Sequence, residues 1–263
     1  MLELLVKELG EVGLALNTNK TKICTTEQLQ VPMYIEVAGG MVEVLTGDYF
    51  HKYLGRHIPG DLAKRGSIEF SHRVAAAWGK FHKHRQCLTN QHVHVKLRLK
   101  LFEAVVTPTV MFGLTTIPVT AGQLQQLDAV RRRMLRSIVG WIRSPGEDWA
   151  DTMRTMNGGL QRANDEYPTQ AWSQQFASRQ FSLADRLARR SDTCPAKAAS
   201  WDPFKSEGLE GNQCPYRSVG RPRAKWDDWL KKFSKQAFNS DQWYNVEQQD
   251  WLAKGQDYLN MFM

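Results

Sequence analysis

His92 to Gly113 reads HVHVKLRLKLFEAVVTPTVMFG, and the way this stretch folds decides between a sheet-rich and a helical protein. Its first half alternates strictly, so a strand would place His92, His94, Lys96, Arg98 and Lys100 on one face. A helix would instead align Val93, Leu97, Leu101, Ala104 and Val105. Alternation favours the strand locally, but the apolar continuation EAVVTPTVMFG makes the whole too long for one strand. A helix is therefore expected.

The neighbours on both sides read as helices too. Beyond Pro59-Gly60, Phe70, Val74, Ala77, Trp78 and Phe81 share one helical face, which predicts an amphipathic helix over about 67–88. Thr120 and Gln123 make a capping-box pattern before Leu124, Leu127, Val130, Met134, Ile138 and Ile142, predicting a helix to about 142. Further helical patterns occupy about 168–190, 224–238 and 243–261, separated by a Pro-, Gly- and Ser-rich connection over about 191–223. The N-terminal part differs. A short amphipathic helix (Leu2, Leu5, Val6, Leu9) is followed by strand-like pieces at Leu14–Leu16, Thr21–Thr25, Met33–Val37, Met41–Leu45 and Tyr53–Ile58. Gly39-Gly40 between two of them signals a hairpin. The fold class expected is α+β, predominantly α, a small sheet fragment preceding two helical regions, with boundaries at 1–60, 61–143 and 144–263.

At 263 residues the chain is long enough to bury roughly 70–75% of its unfolded surface. Neither an 18-residue apolar run nor a signal-peptide core is present, since Glu3, Lys7 and Glu8 interrupt the N-terminus. The expectation is a non-secreted, intracellular protein, nuclear or cytoplasmic, with no membrane contact. Four cysteines without a CxxC pair imply reduced thiols and make zinc an unfavoured ligand. For His82, His84, Cys87, His92 and His94, spacings of two put neighbours on different helix faces, which suits solvent or phosphate contact better than a metal.

Net charge is +8, and its distribution is uneven. Residues 1–50 carry three Lys and Arg against seven Asp and Glu, residues 51–143 carry 16 against four, and residues 144–263 carry 16 against 16. All seven histidines also fall between His51 and His94. Such a basic middle third is the electrostatic footprint of a polyanion binder, although an ordinary solvated basic face has the same composition.

Three separated segments carry a resemblance. GLALNTNKTK (Gly13–Lys22), then YFHKYLG (Tyr49–Gly55), then the helices ending near VTPTVMFG are similar, in order and spacing, to the later part of a non-LTR (LINE-type) retrotransposon reverse transcriptase. VGRPRAKWDDWL (Val219–Leu230) resembles the GRPxxxW element that follows the thumb in such proteins. The resemblance implies a residual palm edge over 1–60, a basic helical thumb over 61–143 and a Trp-rich post-thumb region over 144–263. It implies that Lys20 matches a lysine near the incoming triphosphate, a possible accessory proton donor. Tyr53, Leu54 and Gly55 would form the primer grip, pressing on primer phosphates. Lys64, Arg65, Arg73, Lys80, Lys83, Arg85, Lys96, Arg98, Lys100 and Arg131, Arg132 and Arg133 would form the thumb surface along the template-primer backbone. Arg221 and Arg223 are further candidates as a minor-groove arm, although Pro222 also suits a helix start.

The complete polymerase would hold two Mg²⁺ on palm aspartates, including an aromatic-x-Asp-Asp hairpin, to activate the primer 3′-oxygen and stabilise the leaving pyrophosphate. Both motifs precede the GLxxN segment in that family, and these 263 residues contain no such hairpin. The lone Asp-Asp pair, Asp227-Asp228, opens a predicted helix and suits its N-terminal charge. The chain is therefore expected to need no cofactor of its own, to be inactive alone as an RNA-directed DNA polymerase, and to bind RNA/DNA hybrid or structured RNA. A stand-alone basic RNA- or DNA-binding module and an inert retroelement relic are the alternatives. Trp226, Trp229, Trp243 and Trp251 are expected to build a core.

Overall fold

The structure, a computed structural model, describes residues 2–25, 33–45, 50–59, 64–140, 143, 145–190 and 225–262. It divides into two compact units, Met1–His72 and Arg73–Met263. The architecture is α+β and predominantly helical, as the periodicities predict.

In the first unit, helix α1 (Leu2–Glu11) is followed by β1 (Lys22–Cys24), β2 (Met33–Val37) and β3 (Gly40–Leu45). The sheet order is β1-β3-β2, with β1 parallel and β2 antiparallel to β3. Lys22 and Glu43 face each other in register and form a 2.6 Å ion pair across the parallel ladder. Val37, Val42, Val44 and Leu45 are buried. The β2–β3 turn lies at Ala38-Gly39, one residue earlier than the glycine pair suggests, with φ of 51° and 75°. Two positive φ values are what a two-residue hairpin loop needs to follow the strand twist. Leu14–Leu16 forms no strand.

Tyr53–Ile58 is not one strand either. The chain reverses there: β4 (Phe50–Tyr53) and β5 (Arg56–Pro59) pair as an antiparallel hairpin around Leu54-Gly55, with φ of 48° and 76°. The period-two pattern of YLGRHI hid a second left-handed pair, because only one of the turn residues is glycine. Glu69, 1% exposed on the following helix α2 (Arg65–Lys83), accepts the His57 backbone N–H at 2.8 Å and lies 3.7 Å from Arg56. His57 packs between the rings of Phe50 and His72 at 4.2 and 3.7 Å.

The second unit contains the remainder of α2, a short α3 (Arg85–Leu88), α4 (Val95–Met111), a 3-10 turn (Leu114–Thr116), α5 (Ala121–Val139), α6 (Trp149–Glu166) and α7 (Trp172–Ala188). After the undescribed 191–224 come α8 (Asp228–Phe238), a 3-10 turn (Trp243–Asn245), α9 (Gln248–Ala253) and α10 (Gly255–Asn260). The deciding stretch is thus a helix from Val95, with His94 as its N-cap: His94 Nδ1 accepts the Lys96 N–H at 3.3 Å. The Thr120–Gln123 capping box forms as expected. Helix α6, which the apolar pattern does not announce, is opened by Asp148 accepting the Ala150 N–H. Its Gly159 lets α5 come close, since a Cβ there would stand 3.2 Å from Val139 Cγ1.

Phe102, Val106 and Val110 of α4, Leu127, Met134 and Ile138 of α5, and Trp172 and Phe176 of α7 are completely buried and form the centre of this core. A second, aromatic cluster joins the end of α7 to the last helices: Phe181 stacks on Trp251 at 4.9 Å, Phe233 meets both, and Tyr258 meets Phe181 and Phe233. The Tyr258 hydroxyl, fully buried, donates to Gln180 Oε1 at 2.5 Å, and Gln180 Nε2 donates to the Trp226 carbonyl at 2.8 Å. Burial pushes the Tyr258 phenol well above its ordinary pKa of 10.0. The folded state therefore keeps a proton that the unfolded chain releases above about pH 10, so stability falls as pH rises past that point. Alkaline urea titrations are expected to show this as a loss approaching 1.4 kcal/mol per pH unit, absent from Tyr258→Phe.

Candidate nucleic-acid interface

Helical register sorts the basic residues of the second unit into two classes. Arg73, Arg98 and Arg131 do not lie on the surface, contrary to the thumb-surface expectation: they are 5%, 5% and 7% exposed. Each falls on the core stripe of its helix, in the rows 70–73–77, 98–102–106 and 127–131–134, and that register is the sequence signal for their burial. The Arg73 guanidinium lies over the Phe112 ring at 4.8 Å. Arg131 Nη2 donates to Glu103 Oε1 at 3.2 Å and Thr169 Oγ1 at 2.5 Å, tying α5 to α4 and to the start of α7. Arg98 donates through Nε to the Val93 carbonyl at 2.9 Å, through Nη1 to the Ile138 carbonyl, and through Nη2 to Gln91 Oε1 at 3.4 Å. It thereby fastens the His-rich loop before α4 to the C-terminal end of α5. Burial lowers the Arg98 pKa from its ordinary value.

The second class faces solvent. Lys83, Arg85, Lys96, Lys100, Arg132 and Arg133 are exposed and Lys80 is half-buried. Among the described residues none of these forms an ion pair with a carboxylate. The folding rationale for them is uneven. Lys80 and Lys83 lie in the last turn of α2, where cations complement the helix dipole. Lys96 and Lys100 lie one turn apart near the N-terminus of α4, where they repel each other and the dipole opposes them. His92 and His94 add exposed rings beside them. Glu166 Oε2 lies 3.8 Å from His94 Nδ1, but Lys96 and Lys100 have no carboxylate partner among the described residues, and with the helix N-terminus they make a local potential suited to phosphate.

In the first unit, Lys20 is exposed in a turn whose N–H donates to Asn17 Oδ1 at 3.1 Å, and Lys64 and Arg65 are exposed at the start of α2. Tyr53 and Leu54 are 57% and 76% exposed at the β4–β5 tip, with Gly55 completing the turn. The primer-grip-like segment is therefore a projecting hairpin rather than a buried strand end. Arg221 and Arg223 lie outside the described residues.

The WDDW segment does structural work. Trp226 Nε1 donates to the Thr115 carbonyl and Trp229 Nε1 to the Val119 carbonyl at 3.3 Å, so both indoles clamp the link between α4 and α5. Asp227 accepts from Trp243 Nε1 at 3.3 Å and from Lys231 at 3.0 Å, and Asp228 accepts the Lys225 N–H at 2.6 Å. Trp243 and Trp251 are buried and Trp226 and Trp229 half-buried, a core role for all of them. Among the described residues no group of three His, Cys, Asp or Glu side chains could hold a metal ion. Nor is any helix among them long and apolar enough to cross a membrane.

Comparison with known proteins finds a distant similarity. The chain is 26% identical over 234 residues to an uncharacterized transposon-derived protein of Caenorhabditis elegans, an alignment covering 88% of this chain and 77% of the relative. This similarity points to a transposon origin. No family model and no solved structure matches the chain.

Proposed function

We propose that the chain is the later portion of a non-LTR retrotransposon reverse transcriptase, whose helical unit holds the template-primer backbone without contributing metal-binding carboxylates. The order of the Gly13–Lys22 and Tyr49–Gly55 segments ahead of a helical region supports the reverse-transcriptase part of this reading. The observation that carries nucleic-acid binding is the surface set Lys80, Lys83, Arg85, Lys96, Lys100, Arg132 and Arg133, which has no internal carboxylate partners among the described residues. Such side chains contact phosphates without reading bases, so the expected ligand is a class, RNA/DNA hybrid or structured RNA, and not one sequence.

Lys96→Gln with Lys100→Gln tests the reading. Both side chains are exposed and make no carboxylate contact, so urea stability is expected to hold or rise slightly as their repulsion disappears. Affinity for a labelled RNA/DNA hybrid, followed by anisotropy, is expected to drop roughly tenfold at low salt. The slope of log K against log salt should become shallower by about 1.8, since each lost phosphate contact removes about 0.9. Unchanged affinity and slope would remove these lysines from the interface.

A further inference from the structure

Helix α2 carries a glycine that packing does not require. Gly79 is exposed, and a Cβ built there meets nothing within 4 Å. Glycine inside a helix costs about 1 kcal/mol relative to alanine and bares the backbone to close approach; Gly158 is equally open, so a reason specific to Gly79 has to come from its surroundings.

What surrounds it supplies that reason. Positions 75, 78, 79 and 82 outline one diamond on a helical surface, its sides being steps of three and four residues. Ala75 and Gly79 are small and exposed, while half-buried Trp78 and exposed His82 stack with ring centroids 5.6 Å apart and planes 23° from parallel. Phe81, 2% exposed, roots the pair in the core through edge contacts to both rings at 5.7 and 5.8 Å. A rigidly seated pair of flat rings thus lies beside a patch of bare helix. Exposed Lys83 and Arg85 follow immediately.

We infer that the Trp78–His82 stack with the open surface at Ala75 and Gly79 is a platform for one unpaired nucleobase, with Lys83 and Arg85 taking the adjoining phosphates. Aromatic and histidine rings accept any base on their π-face, whereas a paired base inside a duplex offers none. The inference rests on the nucleic-acid-binding reading and narrows it: the chain prefers a single-stranded end or loop to a fully paired duplex of equal charge.

The test uses the full chain and three probes with the same number of phosphates: a blunt RNA/DNA hybrid, and a correspondingly shorter hybrid with a short overhang of RNA or of DNA, with 2-aminopurine in the overhang. Binding is expected to be roughly tenfold tighter to the overhang probes, with quenching of 2-aminopurine as it stacks. Equal affinity for both overhangs assigns recognition to the base, and a ribose preference adds a sugar contact to it. His82→Ala is expected to abolish the preference and His82→Phe to retain it. Gly79→Leu should raise the thermal midpoint, because it fills open space with a better helix former, and yet abolish the preference by covering the platform. Equal, salt-dependent binding to blunt and overhang probes would overturn the platform and leave the backbone-binding reading standing, as would a preference that survives Gly79→Leu and His82→Ala. Binding to none of the probes at low salt would overturn both.

Discussion

Trp172→Ala is expected to remove about 4 kcal/mol of stability from the helical unit, the largest effect of any single substitution considered. The indole is completely buried, stacks on Phe102 with centroids 5.9 Å apart and planes 9° from parallel, and donates from Nε1 to Thr107 Oγ1 at 3.0 Å. Truncating a buried tryptophan costs about 3–5 kcal/mol through lost transfer energy and the cavity left behind. The Thr107 hydroxyl, itself 2% exposed, would also lose its partner, a further cost of about 1 kcal/mol. A domain with about 5–15 kcal/mol in all would lose a large fraction of its margin. Trp172→Phe keeps most of the stacking area and is expected to cost less than half as much. Urea unfolding of the purified chain reads both values, and a loss below about 1 kcal/mol for Trp172→Ala would mean that α4 and α7 are not packed as described.

The second large effect separates architecture from binding. Arg98→Met is expected to cost about 3 kcal/mol, since the carbonyls of Val93 and Ile138 and the Gln91 side chain lose a charged donor at once. Arg98→Lys should recover little of that, because one ammonium cannot reproduce a planar fork spanning three acceptors. Neither change should alter how steeply nucleic-acid affinity depends on salt, because Arg98 is 5% exposed and its guanidinium is committed to protein acceptors. The double lysine variant behaves in the opposite way, changing the slope and leaving stability alone. A shallower salt slope in Arg98→Met would place this guanidinium on the ligand and contradict its structural role.

These contrasts show where sequence reading succeeds and where it stops. The long helices were legible because burial imposes a period on one face: Leu124, Leu127, Met134 and Ile138 repeat it, and Thr120 with Gln123 marks its start. The ambiguous His92–Gly113 stretch was settled by length, not by its alternating first half. Helix α6 was not legible, since its buried set is only Thr152, Met156 and Ala163 and Gly158-Gly159 interrupts it. Its stability comes from the close approach to α5, which no local pattern encodes. The β4–β5 hairpin was hidden because Leu54 occupies a left-handed turn position normally signalled by glycine or asparagine.

The basic residues divide along the same line. Charge composition exposes a cationic segment but does not separate Lys96 and Lys100, which lack carboxylate partners, from Arg98 and Arg131, which satisfy backbone carbonyls and Glu103 inside the core. Helical register carries that distinction, because the buried arginines occupy stripe positions otherwise held by Phe, Leu and Ala. The tryptophans of WDDW were expected in a core. Their indole bonds to the Thr115 and Val119 carbonyls became visible only once α4, its following turn and α8 were placed together.

Affinity of the full chain for an RNA/DNA hybrid, measured across a salt series, tests the central claim most directly. Engagement of about half of the exposed cations predicts a slope of log K against log salt of about −3 to −4, so affinity falls by roughly 100-fold between about 50 and 200 mM. A slope near zero, or no binding at the lowest salt, would contradict the account.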